Sequence, residues 1–331
     1  MKRHKICKII FAILAVFLCV AFYELIGICI TYKKQPAVSD ATIKETQNIM
    51  SVAGRENTER AVIIEKNSQA LLERVRLIQN AKDEIILSTF AFKSDESGKL
   101  ILGALHDAAD RGVHVRILVD GMESWIDMEG NPYFYGLSSH ENVEIKLYNK
   151  ANPLKPWKTM GRMHDKYLIA DGKIYILGGR NTYNYFLGDF PGHKNFDRDV
   201  LVVCDEPQKD NSVNQLWNYF ETIWEQEDCR YFHNSKKLAD RQSVKKAVLE
   251  LQEGYQQYFE VNKEKICDTD YADETFETEK ITLLSNPIHT QAKEPVVWYQ
   301  LGELMKNAKE RVKIHTPYIT VSYTHLRAHE T

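Results

Sequence analysis

The sequence predicts an α/β protein in which a mixed β-sheet is sandwiched between helices. Apolar residues recur at helical spacing over 71–78, and an apolar, β-branched run follows at 85–92. The same alternation returns as a helix at 98–111 and a strand at 113–119, with a third strand at 143–148. Helices that alternate with buried strands indicate a largely parallel or mixed sheet covered on both faces.

Length and composition allow a large buried core. The 331 residues are 44% apolar and 27% charged, which is ordinary for one large or two medium globular domains. The net charge is −3, and residues 1–34 are strongly basic, so the remainder of the chain is acidic. An acidic body argues against non-specific nucleic-acid binding, and we predict no nucleic-acid partner. The six cysteines indicate neither a disulfide framework nor a zinc site, and we expect no metal and no cofactor.

The N-terminus, residues 1–34, is predicted to be a membrane anchor. Residues 9–31 are almost uninterruptedly apolar and long enough to span a bilayer as a helix, with Glu24 near one end. A cleaved signal peptide is the competing interpretation, but no small-x-small cleavage site follows the run. More basic residues precede the run than follow it, which favours a single-pass protein of the cell membrane with an extracytoplasmic body. A polar tether is expected at 35–60.

One polar motif stands among these apolar elements. His164, Lys166 and Asp171 have the spacing His-x-Lys-x-x-x-x-Asp. In a strand over 163–170, His164 and Lys166 share one face because side chains alternate. An imidazole beside a cation suits a phosphodiester, since a neutral imidazole can attack phosphorus and form a covalent phosphohistidine.

The residues after this motif extend the candidate site. A hairpin turn is predicted at Asp171-Gly172, followed by a returning strand. Gly178 and Gly179 then let the backbone approach whatever lies at the strand end, and Asn181 adds an amide donor. We expect Lys166 and Asn181 to hold the charged phosphate oxygens.

The motif, preceded by Arg-Met and followed by Gly-Gly-Arg-Asn, resembles the repeated signature of the phospholipase D superfamily, most closely its bacterial cardiolipin synthase branch. The resemblance covers about residues 60–320 and implies a phospholipase D-like fold. It assigns catalysis to His164, Lys166, Asp171, Asn181 and Asp199. It assigns substrate binding to Arg162, Lys166, Gly178, Gly179 and Asn181. Asp199 is expected to orient the imidazole, with Asp197 as the second candidate and a surface ion pair as the competing interpretation.

Two further features near the motif leave alternatives open. Asp120 lies at the carboxyl end of a strand, where sites form in open α/β sheets, although an Asp in a turn more often caps its own loop. The connection at 149–161 is basic and contains Pro153, Pro156 and Trp157. Its charges either attract a phosphate head group or are simply solvated, and its apolar residues either form a lip for an acyl substrate or pack the loop.

The C-terminal part suggests an internal repeat. Residues 298–316 repeat the helix and strand of 71–89, as in superfamily members whose two halves each supply one motif. The predicted domains are an anchor at 1–34, a tether at 35–60, a first phospholipase D-like domain at 61–265, an acidic linker at 266–294, the start of a second domain at 295–322 and a foreign tail at 323–331. Within the first domain, the polar helical region 235–266 is expected to be a solvated connector.

The resemblance implies a membrane-anchored phosphatidyltransferase similar to cardiolipin synthase, acting on phosphatidylglycerol or a similar phospholipid. With water as acceptor the same site is a phospholipase D-type hydrolase, and a non-catalytic membrane-tethered binding module is the contrasting hypothesis. One motif cannot supply both the nucleophile and the acid that protonates the leaving group. We therefore expect the 331 residues alone to be inactive unless a second half of the chain or a dimer partner supplies that acid.

Overall fold

The computed structural model describes residues 2–51, 58–152, 154–233 and 235–316. The strands in this part of the chain are β1 (Glu59–Ile64), β2 (Glu84–Thr89), β3 (His114–Asp120), β4 (Val143–Tyr148), β5 (Tyr167–Ala170), β6 (Ile174–Gly178), β7 (Asp199–Cys204), β8 (Cys229–Tyr231) and β9 (Phe276–Glu277). The helices are α1 (Lys2–Tyr32), α2 (Asp40–Ser51), α3 (Asn67–Asn80), α4 (Glu96–Asp110), α5 (Gly121–Asp127), α6 (Pro132–Ser138), α7 (Ser212–Trp224), α8 (Gln242–Cys267) and α9 (Val296–Asn307).

The described strands form one mixed sheet in the order β8-β4-β3-β2-β5-β6-β7-β1-β9. Strands β2, β3 and β4 are parallel, and the remaining pairings are antiparallel. Strand β1 pairs with β7 from Glu59 opposite Cys204 to Ile64 opposite Asp199, although most of the domain separates them in sequence. The predicted mixed α/β architecture is confirmed.

Strand direction brings several chain segments to one end of the sheet. Strand β5 runs antiparallel to β2, with Tyr167 opposite Ser88, so the start of β5 lies at the carboxyl end of β2. Gly178 at the end of β6 pairs with Asp199 at the start of β7. The carboxyl ends of β2, β3 and β6 and the first residues of β5 and β7 therefore share one edge, called the site edge below.

Helices cover both faces of the sheet. Helices α3, α4, α6 and α8 enclose the larger core cluster, and α7 covers the smaller one on the opposite face. The region 235–266, expected to be a solvated connector, instead contains most of α8, which buries Val244, Leu251 and Tyr255 against α4 and α6. Gly103 allows this contact, because a Cβ there would lie 2.6 Å from the carbonyl oxygen of Leu251.

The acidic segment after α8 is fastened to the domain. Arg76 of α3 donates to the carbonyl oxygen of Asp268 at 2.6 Å and to Glu274 at 2.8 Å, and its guanidinium lies 3.9 Å from the centre of the Tyr271 ring. Strand β9 then pairs with β1 at the end of the sheet. The expected linker therefore begins as a packed part of the first domain.

The proposed repeat is only partly present in the described residues. Helix α9 matches the predicted helix, but residues 311–316 form no strand, so the strand expected from Val312 is not seen there. Its counterpart β2 is stabilised by β3 and β5 on either side, and such neighbours require further chain. Residues 317–331, including the expected foreign tail, and Pro153 lie outside the described part.

The N-terminal segment is helical. Helix α1 contains a stretch, Ile6–Tyr32, that is long and apolar enough to cross a membrane. The expected tether is more ordered than a linker, because α2 buries Thr42 and Thr46 and the Ser39 amide donates to Glu294 at 2.7 Å. Residues 52–57 of the tether lie outside the described part.

Candidate active site

Two cationic side chains and the His164 imidazole gather around one aromatic ring at the site edge. Phe90, immediately after β2, makes an edge contact with the His164 ring at a centroid distance of 4.6 Å. The Arg162 guanidinium and the Lys166 ammonium lie 5.0 Å and 5.1 Å from the centre of the same ring. Arg162, His164 and Lys166 are each two residues apart, so their side chains lie on the same side of the chain and face Phe90.

The intervening residue confirms this alternation. Asp165 lies on the other face, where the Tyr219 hydroxyl donates to its carboxylate at 2.8 Å. The prediction of a strand over 163–170 is nevertheless wrong at its start, because β5 begins at Tyr167. His164 therefore lies just before the paired strand, exposed at the site edge, without ladder neighbours to cover it.

His164 is electrostatically poised to be neutral. Partial burial lowers the pKa of its imidazole, and the charges of Lys166 and Arg162 lower it further, against an opposing effect of Asp120. The ordinary pKa of histidine is about 6.5, so a histidine with that pKa is partly protonated near neutral pH. The lowered pKa of His164 leaves a ring nitrogen with a free lone pair, as a nucleophile requires.

Lys166 is buried, and its ammonium is held at the base of the site. Its Nζ donates to the carbonyl oxygen of His164 at 2.6 Å. Burial lowers the pKa of Lys166 to about 8, partly offset by the carboxylates of Asp165, Asp197 and Asp120. The ammonium is therefore charged at neutral pH and has two further N–H donors to offer to an anion.

Arg162 is fixed by Asp120. Its Nε and Nη2 donate to the Asp120 carboxylate at 2.9 Å and 2.6 Å, and the Met163 amide donates to the same group at 3.1 Å. Asp120 also caps α5 by accepting from the Met122 amide at 3.0 Å. Both interpretations of Asp120 thus hold: it caps its own loop, and it positions the chain that carries His164. The predicted substrate contact of Arg162 is constrained by this bidentate pair.

Asn181 is connected to the site by a hydrogen bond with Ala91, the residue after Phe90. Its Oδ1 accepts from the Ala91 amide at 3.1 Å, and a bridge between Phe92 and Thr182 continues the contact. Because the oxygen is occupied, the amide orientation is set and its NH₂ group remains the donor for a ligand.

Gly178 and Gly179 lie so close to two carboxylates of the protein that neither position has space for a Cβ. A Cβ at Gly178 would collide with Asp199, and one at Gly179 would collide with Asp197. Both glycines were expected to allow a close approach of substrate. The structure corrects this, since what approaches their backbone is the chain that enters β7.

Asp199 does not orient His164 in this structure. Its buried carboxylate pairs with Arg74 of α3 at 3.0 Å and with Arg180 at 3.3 Å. Arg180 is itself fully buried and donates to the carbonyl oxygen of Glu65 at 2.6 Å. The charge of Asp197, the second candidate, raises the pKa of Lys166, so Asp197 acts on a site residue.

Asp171 lies away from the site. It follows the last residue of β5, whereas His164 precedes the first, and seven extended residues span roughly 20 Å. Its carboxylate accepts the backbone amides of Lys82, Asp83 and Glu84 at 2.9, 2.8 and 3.0 Å. The catalytic assignment of Asp171 is thus corrected to an architectural one: it ties the predicted hairpin, where Asp171 and Gly172 have positive φ, to the start of β2.

Sequence reasoning missed Phe90, Arg74 and Arg180. Phe90 follows a buried strand directly, and its position at a carboxyl end was a usable signal. Arg180 stands between the glycines and Asn181, but nothing in its local sequence indicates complete burial beside Asp199, nineteen residues later in the chain.

We expect Lys166→Met to raise the pKa of His164, because the substitution removes a neighbouring positive charge while a side chain of similar length maintains the burial. The pKa can be measured by NMR titration of protein with isotope-labelled histidine, with His164→Asn identifying the resonance. Lys173→Met at the exposed hairpin is the matched control and should leave the titration unchanged. An equal pKa in wild type and Lys166→Met would show that the ammonium does not act on the ring.

Part of this chain is similar to known proteins. The family described as "Cardiolipin synthase, PLD-like domain" matches residues 75–224. Cardiolipin synthase C of Escherichia coli (strain K12) is 29% identical over 154 residues, covering 42% of this chain and 31% of that protein. Cardiolipin synthase 1 of Staphylococcus aureus (strain MRSA252) is 35% identical over 112 residues, covering 34% of this chain and 22% of that protein.

Among solved structures, the phospholipase D family member Nuc from Salmonella typhimurium is similar with a TM-score of 0.38 and 21% identity, covering 54% of this chain and 99% of that chain. The chain spans about a third of the length of the first curated relatives it matches. The family match includes Phe90, the whole His-x-Lys-x-x-x-x-Asp motif, Asn181 and Asp199. The domain at residues 75–224 belongs to the phospholipase D superfamily of phosphodiesterases and transferases, on its cardiolipin synthase-like branch.

Proposed function

We propose that this protein is a membrane-anchored phosphatidyltransferase similar to cardiolipin synthase. The observation that carries the proposal is the environment of His164 at the site edge, where partial burial and the nearby charges of Lys166 and Arg162 lower the pKa of the imidazole. A neutral nucleophile beside positive charge fits an anionic phosphodiester, which brings its own negative charge to the site.

In the first step, the unprotonated ring nitrogen of His164 attacks the phosphorus of a phospholipid. The P–N bond forms while the P–O bond to the head-group alcohol breaks, and that oxygen leaves with the bonding electrons and takes a proton from an acid. Lys166 and the Asn181 amide donate to the non-bridging oxygens, whose charge grows in the transition state. Phe90 holds the imidazole in place by its edge contact.

In the second step, the hydroxyl group of an acceptor attacks the phosphohistidine. The new P–O bond forms, the P–N bond breaks, and His164 returns to its neutral form with its lone pair. The hydroxyl proton passes to the group that donated a proton in the first step. We propose that this acid comes from a second motif, either in further chain or in a dimer partner.

The two perturbed groups set the pH dependence. His164 must be neutral, so kcat/KM is expected to rise with pH through its lowered pKa. Lys166 must be charged, so kcat/KM falls as pH rises through about 8. The expected profile has its maximum between these two values.

The function is tested with phosphatidyl-p-nitrophenol in vesicles. Nitrophenolate is a good leaving group that needs no proton, so the chain can react without a second motif. We expect the labelled phosphatidyl group to appear on the protein as an acid-labile adduct. Where a second motif is present to take the hydroxyl proton, addition of phosphatidylglycerol is expected to release the group as cardiolipin.

Other products would change the assignment. Release as phosphatidic acid despite abundant phosphatidylglycerol would identify a hydrolase instead of a transferase. Labelling by the p-nitrophenyl ester of thymidine monophosphate, with none by the lipid, would overturn the phospholipid substrate and point to nucleic acid.

A further inference from the structure

Helix α1 is longer than the hydrocarbon core of a bilayer. The apolar stretch Ile6–Tyr32 has 27 residues, and about 20 helical residues cross a core of about 30 Å. Its large apolar side chains are exposed around the helix in the structure, as expected for a surface that faces lipid. About two turns of α1 therefore extend beyond the core at one end.

The globular part of the protein contacts the C-terminal part of α1. Pro156 packs against Gly27, where a Cβ would lie 2.6 Å from the proline ring. The Tyr23 hydroxyl donates to the carbonyl oxygen of Leu154 at 3.4 Å, and the Thr159 hydroxyl donates to Glu24 at 3.4 Å. The loop 154–161 therefore lies level with the last turns of α1.

This loop and α5 carry large apolar side chains that the body does not cover. Five of them, each between 40% and 78% exposed, are called the collar below: Trp125, Ile126, Leu154, Trp157 and Met160. Tryptophan is the side chain most typical of the membrane interface, because its ring is apolar and its N–H is polar. Lys150 and Lys155 in the same connection are exposed and can meet anionic head groups.

The ion pair between Asp120 and Arg162 connects both parts of the collar, α5 and the loop 154–161, to the site. Asp120 caps α5, which carries Trp125 and Ile126, and it binds Arg162, which directly follows the loop. At the first residue of α5, a Cβ on Gly121 would lie 2.6 Å from the Lys150 amide nitrogen. The collar thus has a fixed position relative to His164.

We propose that the collar rests in the head-group and acyl boundary of the bilayer, so that a phospholipid presents its phosphodiester to His164 while its acyl chains stay in the membrane. The continuity with α1 selects a lipid surface over a protein partner, because α1 brings the loop to the bilayer. The substrate part of this inference rests on the proposed function, whereas the membrane contact does not.

The contact is tested by tryptophan fluorescence of the 331-residue chain in phosphatidylcholine nanodiscs. Acyl chains brominated near the glycerol are expected to quench emission relative to unbrominated lipid. Trp125→Phe/Trp157→Phe keeps aromatic surface but removes the reporters, so it should lose most of the lipid-dependent quenching. Trp298→Phe, which removes an exposed tryptophan on α9, should retain it.

A second pair of variants tests the surface itself. Leu154→Ser/Met160→Ser should reduce the quenching of Trp157, whereas Val261→Ser on the outer side of α8 should not. All three side chains are highly exposed, so the fold should tolerate the changes. Quenching that is lost in Trp298→Phe, or that is unchanged in both collar variants, would overturn the proposal. The collar would then be a candidate surface for a protein partner. Since quenching requires no turnover, a failure here is distinguishable from a failure of the proposed chemistry.

Discussion

His164→Ala is expected to abolish the burst of nitrophenolate from phosphatidyl-p-nitrophenol. The substitution removes the only atom proposed to form the covalent bond to phosphorus, and loss of a nucleophile in other covalent enzymes lowers the rate on the order of 10⁶-fold. The measurement is rapid mixing of protein with substrate vesicles, with the burst amplitude compared with the protein concentration.

Two controls make the result specific. His164→Asn preserves a planar polar side chain and should be equally inactive, because an amide is not a nucleophile. His140→Asn, far from the site on the α6 side and paired with Asp110 at 3.1 Å, should keep the burst. A burst of normal amplitude in His164→Ala would assign the nucleophile to another residue.

Asp199→Ala is expected to destabilise the domain by about 3–5 kcal/mol, since the buried arginines Arg74 and Arg180 would lose their counter-ion. For a domain of this size the melting temperature should fall by roughly 6–20 °C. Thermal unfolding in detergent, followed by circular dichroism, measures the change.

Asp197→Ala is the matched control. Its carboxylate is partly exposed and receives the Arg198 amide at 2.7 Å, so the melting temperature should change little. The same experiment decides between two roles of Asp199. If Asp199→Ala melts like wild type and instead alters the titration of His164, the family-derived role as orienting acid is correct and the ion-pair role is not.

The strands and the motif could be predicted because their signals are local. Strand β4 was predicted at its observed bounds, since the short alternation of apolar and charged residues from Val143 to Tyr148 is typical of a strand. Helix α8 was misjudged because its polar residues outnumber Val244, Ala247, Leu251 and Tyr255, although these follow the helical period. A narrow apolar stripe is sufficient when glycines allow the backbones to approach closely.

The site was predicted only in part, because ion pairing is decided by tertiary structure. The spacing predicts His164, Lys166 and Asn181 as site residues, and the structure brings all three to the site edge, while their catalytic roles stay a prediction. The partners of Asp199 come from distant positions, so no local pattern distinguishes an acid that binds two buried arginines from one that orients a histidine. Asp171 was misassigned for the same reason, as its three amide donors belong to a different turn.

The pairing of β1 with β7 determines when the sheet can be completed during synthesis. Ile64 leaves the ribosome long before its partner Asp199, and at ~5–20 residues per second the delay is on the order of ten seconds. During that time β1 lacks its β7 partner, and Arg74 and Arg180 lack their counter-ion Asp199. We therefore expect truncation or stalling before β7 to leave this edge of the sheet unpaired and to promote aggregation.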